Sequence, residues 1–297
     1  MKKTDKTIAI YLTLVIGICY LFGLLELLTK SGFAYKTFSV IFTFIPVISA
    51  LITKAITKEK SKYPLSIRVW KNPKVWIISA LLPGVMTSIG ATLYFLVFSN
   101  KYSGVFKYGM MTGTNDEILI KSPFTFAVVC IVISALMIPI HLLELGEEIG
   151  WRGYLLGFQV EKYGERKAVI INGIEWGLVH LPLIYFGFNY ERDNWGAPWT
   201  NMLVMLISCI VIGIILSFVT IKTKNCMYAA IMHGAFNIVG EVPVYLSNDI
   251  KRGLLGPNPS GLLTIAPLII LSIGLLMVIE KANERNVNKS YLSNSNN

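Results

Sequence analysis

The sequence predicts an all-α protein, a polytopic membrane bundle of about eight transmembrane helices. Of its 297 residues, 54% are hydrophobic and only 15% are charged, whereas a soluble domain carries about 25% charged residues. The mean hydropathy of +0.60 agrees with this balance. Long apolar runs also recur along the whole chain, each close to the roughly 20 residues that a spanning helix needs.

The candidate spans follow one another with short polar connections. They are residues 7–29, 38–57, 75–98, 124–146, 167–187, 199–221, 225–246 and 261–280. The first run is longer than the core of a secretory signal, and no A-x-A-like cleavage site follows it, so we interpret it as a retained span. We expect one helical domain over residues 1–280, with a core at 124–246 that carries the functional motifs. The polar, Asn-rich segment 281–297 is expected to be a disordered tail.

The distribution of basic residues predicts the orientation of the chain. The net charge is +10, and 19 of the 27 lysines and arginines fall in the segments that share a side with the N-terminus. The positive-inside rule therefore predicts a multi-pass protein of the cell membrane with both termini in the cytoplasm. Segment 58–74 is expected to lie against anionic lipid headgroups. We attribute the basic charge to topology and expect no nucleic-acid partner.

The four cysteines, at positions 19, 130, 209 and 226, lie in or beside apolar runs and form no C-x-x-C pair. We interpret them as small buried side chains that form no disulfide framework.

Two adjacent glutamates and an arginine follow the fourth apolar run. Glu148 and Arg152 are separated by four residues, so they lie one above the other on a helix and can pair. Glu147 points about 100° away from Glu148, which leaves it without this cation. A carboxylate in a poorly solvated place can act as a base and then as an acid. The alternative is a charge pair at the membrane surface, and the sequence leaves both interpretations open.

Two histidines lie in later spans. Trp176 and His180 share one helix face, and His233 shares another with Asn237. Each histidine alone could be a hydrogen-bonded packing residue. Two of them on different helices, with an unpaired glutamate on a third, favour a functional site.

Three further polar residues of the apolar runs are not assigned a catalytic role. Glu241 extends the face of His233 and Asn237 by one more turn. Glu175 needs a partner that the sequence does not identify, and we interpret His141 as structural. The motifs of zinc-dependent H-E-x-x-H proteases, α/β-hydrolases, P-loop proteins and dinucleotide-binding proteins are absent from the sequence.

Three motifs in this order resemble those of the CAAX-protease and bacteriocin-processing (CPBP, or Abi) family, which includes the type II CAAX prenyl endopeptidases. Here they read Glu147-Glu148-Ile149-Gly150-Trp151-Arg152, Trp176-Gly177-Leu178-Val179-His180 and His233-Gly234-Ala235-Phe236-Asn237. The resemblance covers about residues 140–240. One departure is Trp176, where the family usually has Phe.

The resemblance implies an intramembrane endopeptidase. Glu147 and His180 would activate a water molecule, and His233 and Asn237 would stabilise the oxyanion, while Glu148, Arg152 and Trp176 support the site. The family is often described as metalloproteases, and Glu147, His180 and His233 form a plausible zinc set. A glutamate-activated water without a metal is the rival mechanism. Asn237 is a poor zinc ligand and a good hydrogen-bond donor, which favours the metal-free mechanism.

The expected substrate is a membrane-associated peptide or lipidated protein, cleaved near the inner leaflet of the bilayer. The main alternative is a non-catalytic immunity or scaffold protein that keeps the same residues as a buried polar network. A transporter is disfavoured because the sequence contains neither inverted repeats nor matching broken helices.

Overall fold

The chain is an all-α bundle, as predicted. The structure, a computed structural model, describes residues 2–136 and 142–294, the last twelve of these by their backbone alone. The helices of its first half are α1 (Lys3–Thr29), α2 (Phe33–Ile41), α3 (Ile45–Thr57), α4 (Pro73–Val97), α5 (Gly109–Thr112) and α6 (Pro123–Leu136). Those of its second half are α7 (Leu145–Glu148), α8 (Leu156–Tyr163), α9 (Glu165–Tyr185), α10 (Trp199–Thr223), α11 (Met227–Val239), α12 (Val242–Tyr245) and α13 (Ala266–Asn294). Two short antiparallel strands, β1 (Val105–Phe106) and β2 (Ile118–Leu119), form a hairpin between α4 and α6.

Several helices are long and apolar enough to cross a bilayer, so this is a multi-pass membrane protein. Among the described residues they are Lys3–Thr29, Phe33–Thr57, Pro73–Val97, Glu165–Tyr185 and Trp199–Thr223, with Pro123–Leu136 as a shorter apolar helix. Large apolar side chains face outward on these helices. Leu28, Val40 and Leu96 are each more than 70% exposed, which suits contact with lipid and would be costly in water.

The fourth predicted span differs most from a simple helix. A 3₁₀ turn at Leu142–Glu144 leads into α7, a π-helix follows at Ile149–Leu155, and α8 continues to Tyr163. Helical backbone therefore runs well past Gly157. The predicted structural residue His141 lies outside the described residues.

Glycines let α3 and the 3₁₀ turn before it, Phe42–Phe44, approach this broken helix closely. A Cβ added at Gly146 would lie 2.3 Å from the carbonyl oxygen of Thr43, and one at Gly150 would lie 2.5 Å from Pro46. Any larger residue would push the helices apart, as small residues at membrane helix interfaces allow close packing.

At one end of the bundle, which we call the charged end, the N-terminus, segment 58–72, the α8–α9 turn and the α10–α11 turn come together. Ion pairs join these parts of the chain. Lys3 lies 2.5 Å from Glu59, and Lys162 lies 2.5 Å from Asp5. This end carries most of the basic residues, as the positive-inside argument requires.

The other end, which we call the pocket end, consists of segments 30–32, 98–122, 186–198 and 240–265. Backbone hydrogen bonds tie these loops together: Asn248 N donates to Lys101 O at 2.8 Å, and Glu191 N donates to Arg252 O at 3.0 Å. Helical backbone of α13 continues into the segment 281–294, for which the sequence predicts a disordered tail, and the disorder of that tail stays a prediction.

Candidate active site

A buried ion network forms the floor of the site. Glu148 Oε1 accepts a hydrogen bond from Arg152 at 2.8 Å and lies 2.9 Å from His233 Nδ1. Glu148 and Arg152 are completely buried. The predicted pairing of these two residues is therefore confirmed. The contact with His233 was not predicted, since it joins residues 85 positions apart in the sequence.

Glu147 points away from this network, as the helical repeat predicts. Its Oε2 accepts a hydrogen bond from the indole Nε1 of Trp176 at 2.7 Å. Among the residues that the structure describes, Glu147 forms no salt bridge, although it is buried. Glu148 is paired with the Arg152 cation, whereas Glu147 accepts a hydrogen bond from the neutral indole of Trp176. The two carboxylates are therefore chemically distinct.

Trp176 connects the members of the site. Its ring packs edge-on against the imidazoles of His180 and His233, with centroid distances of 5.5 and 5.1 Å. The guanidinium of Arg152 lies over the same ring at 4.4 Å. This one side chain therefore orients Glu147 by a hydrogen bond and limits the positions of both histidines by packing.

His180 is fixed by its own helix. Its Nδ1 lies 2.8 Å from the carbonyl oxygen of Trp176, four residues earlier. The ring also packs against Phe42 at a centroid distance of 4.7 Å. With Nδ1 donating to this carbonyl, Nε2 is the nitrogen left to accept a proton.

Asn237 has an acidic partner that the sequence argument did not include. Its Nδ2 donates to Glu144 Oε1 at 2.9 Å. The side chain of Asn237 is exposed, unlike those of Glu147, His180 and His233. Glu144 and Glu147 are separated by three residues, which places them on one face of the helix. From this spacing alone, Glu144 could have been predicted to lie near the site.

The four predicted catalytic residues line one cavity of about 260 Å³. They come from three helices: Glu147 from α7, His180 from α9, and His233 and Asn237 from α11. Ser39, Phe42 and Thr43 close one side, and Met205, Ser208 and Cys209 of α10 close another. Such a volume accommodates several water molecules and a short stretch of peptide.

The donors that could share one metal ion are Glu144, Glu147 and His233. Among the described residues, one ligand atom from each of them lies within 4.8 Å of the other two. The predicted zinc set contained His180 instead of Glu144, and the structure does not bring His180 into this group. The residues fit a zinc ion: Glu144 Oε2 is buried without a hydrogen-bond partner among the described residues, and the Nδ1 contact with Glu148 leaves His233 Nε2 to coordinate.

The partner of Glu175, which the sequence did not identify, is Gln159. Gln159 Nε2 donates to Glu175 Oε2 at 2.5 Å, and Asn172 donates to Gln159 at 2.9 Å. This amide network links α8 to α9 away from the cavity. Glu241, expected on the face of Asn237, lies beyond the end of α11 and pairs with Arg252 at 2.6 Å, although it still lines the cavity rim.

Comparison with known proteins agrees with the three motifs. Residues 123–239 match the model of the type II CAAX prenyl endopeptidase Rce1-like family. The CAAX prenyl protease 2 of Methanococcus maripaludis is 32% identical over 106 residues, which are 35% of this chain and 39% of that relative's length. The resemblance to the CAAX-protease family is therefore confirmed over residues 123–239. This region contains the cavity residues of α7, α9, α10 and α11.

Proposed function

We propose that this chain is an intramembrane endopeptidase of the CAAX-protease type, and that it hydrolyses a peptide bond in a membrane-associated protein or peptide. The observation that carries the proposal is the convergence of Glu147, His180, His233 and Asn237 on one cavity. The match to the CAAX prenyl endopeptidase model supports the same reaction class.

In this proposal Glu147 is the general base, assisted by His180. Glu147 lacks a cation among the described residues, so its carboxylate is available to accept a proton from water. His180 presents Nε2 to the same cavity and can take or return a proton during the collapse of the tetrahedral intermediate. A base positioned in this way contributes about 100- to 10,000-fold to a rate.

His233 and Asn237 would stabilise the oxyanion. The contact of His233 Nδ1 with Glu148 fixes its ring, so that Nε2 faces the cavity. Because Nδ1 donates to the Glu148 carboxylate, His233 acts in this role as the imidazolium, whose Nε2–H is then the donor to the oxyanion. The amide of Asn237 is held by Glu144, and its second N–H remains for a substrate oxygen. Preorganised donors of this kind are worth about 100- to 1000-fold each.

The buried ion network has a supporting role. Glu148 and Arg152 neutralise each other and hold His233 in place, at the side of the cavity toward the charged end. A polar network kept only for packing would be expected to fill its interior, because protein interiors are close-packed. Here the polar groups surround open space, which favours catalysis over a purely structural role.

If zinc binds, Glu144, Glu147 and His233 are the residues that would hold it, and it would polarise the scissile carbonyl and activate water. The roles of His180 and Asn237 as proton acceptor and oxyanion donor are the same in either case.

The test is cleavage of a farnesylated, internally quenched peptide that ends in a CAAX sequence, by the purified chain in lipid nanodiscs. We expect Glu147→Ala to lower the initial rate by at least about 100-fold. Glu117→Ala, in the exposed loop between α5 and β2, is the matched control and should cleave at the wild-type rate. Equal rates for wild type and Glu147→Ala would refute the proposal.

A further inference from the structure

We infer that an anionic phospholipid binds in a groove on the outer surface of the bundle, with its phosphate on Arg192 and one acyl chain between α1 and α9. The described residues that line this groove are all different from those that line the cavity of Glu147 and His180. The inference therefore goes beyond the proposed peptidase function and does not depend on it. Its support comes from the apolar groove, from the position of Arg192 and from the aromatic residues beside both.

The apolar part of the site is a groove of about 290 Å³ between α1, α9 and the start of α10. Its walls are the side chains of Tyr20, Leu24 and Leu27 from α1, Leu181, Pro182 and Tyr185 from α9, and Met202 from α10. Leu24 and Leu27 are about half-exposed, so the groove is open to the bilayer. From Tyr20 to Leu27 it extends about 10 Å along the helix, which is about two thirds of the hydrocarbon depth of one leaflet. A single extended acyl chain fits this shape.

Close packing of α1 against α9 forms the floor of the groove. A Cβ added at Gly23 would lie 2.9 Å from Cβ of Pro182, so a glycine is needed for this approach. The hydroxyl of Tyr20 donates to the carbonyl oxygen of Leu178 at 3.3 Å, which joins the same two helices at the end of the groove. The groove is therefore a fixed feature of the surface, since the helices below it are in direct contact.

A second, more polar cleft of about 290 Å³ lies at the head of the groove, shares Tyr185 and Phe186 with it and contains Arg192. Arg192 Nε donates to Phe186 O at 2.9 Å, and Nη2 donates to the same carbonyl. Gly187, at a φ of +96°, leaves room for this arrangement, since a Cβ there would lie 2.8 Å from Arg192 Nε. The guanidinium is thus held over the end of α9, and the two N–H groups of Nη1 are left for a ligand.

Hydrogen bonds fix the loop that carries Arg192. Glu191 N donates to Arg252 O at 3.0 Å, and the buried Asn201 donates through Nδ2 to Glu191 O at 3.0 Å. On the other side of Arg192, Asn194 Nδ2 donates to Asn201 Oδ1 at 3.1 Å. A cation held in this way loses little conformational freedom when it binds an anion, and such preorganisation increases affinity.

Arg192 also lacks the acidic partner that other cations of the pocket end have. Ion pairs join three of those cations to acidic residues: Lys101 to Asp249, Lys251 to Asp193 and Arg252 to Glu241. Arg192 forms no salt bridge with any residue that the structure describes. A guanidinium suits a phosphate group, because its planar N–H groups match two phosphate oxygens. The unpaired charge therefore favours a lipid with a net negative headgroup.

Aromatic residues place Arg192 at the level of the lipid headgroups. Trp195 is 84% exposed and Trp199 is 68% exposed, and the ring of Trp199 lies 6.3 Å from that of Tyr185. Trp and Tyr concentrate at membrane–water interfaces, where their rings sit among the headgroups. With Arg192 at this depth, the phosphate of a lipid reaches the guanidinium while its acyl chain lies between α1 and α9.

Native mass spectrometry of the purified chain in detergent, titrated with phosphatidylglycerol or phosphatidylcholine, tests the headgroup contact. We expect the wild type to bind phosphatidylglycerol more tightly than phosphatidylcholine, and Arg192→Gln to bind phosphatidylglycerol about 10-fold more weakly than the wild type. Lys107→Gln removes a pocket-end cation that lines neither the groove nor its polar cleft. It is the matched control and should bind as the wild type does. Equal affinity of the wild type and Arg192→Gln for phosphatidylglycerol would overturn the inference.

A second pair of variants tests the acyl-chain contact. Leu24→Trp places an indole in the groove, whereas Leu21→Trp places one on the same helix, about 100° round from Tyr20. The two positions are 51% and 54% exposed, so the substitutions are matched in their surroundings. Leu24→Trp should weaken binding of phosphatidylglycerol about 10-fold, because each methylene kept out of the groove loses its burial. Equal binding by the two variants would overturn the groove as the site of the chain.

Thermal unfolding separates lipid binding from stability, since Arg192 also caps the end of α9. Each variant is melted without lipid and then with phosphatidylglycerol, which should raise the melting temperature of the wild type and Lys107→Gln but not of Arg192→Gln. If Arg192→Gln does not fold, Arg192→Lys takes its place, because it keeps the charge and loses the planar fork. Arg192→Lys should bind phosphatidylglycerol more weakly than the wild type, and unchanged binding would overturn the inference. These measurements do not involve cleavage, so their failure would leave the peptidase proposal intact.

Discussion

The indole N–H of Trp176 donates a 2.7 Å hydrogen bond to the carboxylate of Glu147. The related family usually has Phe at this position, and Phe has no donor. This chain therefore holds its proposed base by a contact that a phenyl ring cannot supply. The contact also explains how a tryptophan fits into the second motif: its ring replaces the phenyl in packing against the histidines, and its nitrogen adds a bond.

Trp176→Phe should lower kcat while leaving KM nearly unchanged, because the lost hydrogen bond orients the base and does not bind the peptide. A hydrogen bond to a charged group is worth about 1.5–3 kcal/mol, so we expect a roughly 10- to 100-fold loss. Steady-state kinetics on the quenched peptide measures it. Trp195→Phe, at an 84% exposed position, is the control and should have no effect. An equal fall in kcat for both variants would show that the hydrogen bond from Trp176 to Glu147 does not contribute to catalysis.

Arg152→Ala should strongly destabilise the fold. It leaves the Glu148 carboxylate completely buried without its cation, a change that costs about 3–5 kcal/mol. The matched control is Arg166→Ala, which removes an arginine from a pair of similar length, 2.6 Å, but half-exposed. That change should cost about 0–1 kcal/mol. Thermal unfolding in detergent compares the two, and similar melting temperatures would contradict the assignment of Arg152 to a structural role.

Asn237→Ala and Glu144→Gln should affect the same step. Removing an oxyanion donor costs about 100- to 1000-fold in kcat, and we expect the loss for Asn237→Ala to lie in this range. Glu144→Gln weakens the hold on the amide and should have a smaller effect of the same kind. Because Glu144 acts through Asn237 in this proposal, the double variant should be no slower than Asn237→Ala alone. Additive losses would show that Glu144 has an independent role, such as metal binding.

Removal of metal ions should leave the rate unchanged. The proposed water activation uses Glu147 and His180 and does not require an ion. We expect enzyme treated with 1,10-phenanthroline and then desalted to cleave the quenched peptide at its original rate. Loss of activity that zinc restores in the wild type, but not in Glu144→Ala, would instead assign Glu144, Glu147 and His233 as zinc ligands.

The local parts of the site were predictable from the sequence. The pairing of Glu148 with Arg152 follows from their spacing, as does the separate direction of Glu147. The approximate span positions follow from apolar runs, since hydrocarbon demands continuous helix. The relationships among Glu147, Glu148 and Arg152 lie within one or two helical turns, where geometry depends on the backbone repeat alone.

The contacts between helices were not predictable in the same way. The approach of His233 to Glu148, and of Asn237 to Glu144, depends on how α7 and α11 pack. The break into 3₁₀, α and π turns between residues 142 and 155 leaves no clear mark in the sequence either, because Gly and Ile are compatible with all three.

The π-helix at Ile149–Leu155 makes the length of this segment as important as its composition. It contains a wide turn, with Leu156 N bonded to Trp151 O five residues back, and wide turns of this kind are frequent at functional sites. Deleting one residue would rotate everything beyond it by about 100°. The carbonyl of Gly153 accepts hydrogen bonds from Tyr63 N and from the hydroxyl of Ser61 in segment 58–72. After the deletion Glu147 would still face the cavity, but Gly153 would no longer face that segment. Single-residue deletions here should therefore be lost from any library selected for activity, even where many substitutions survive.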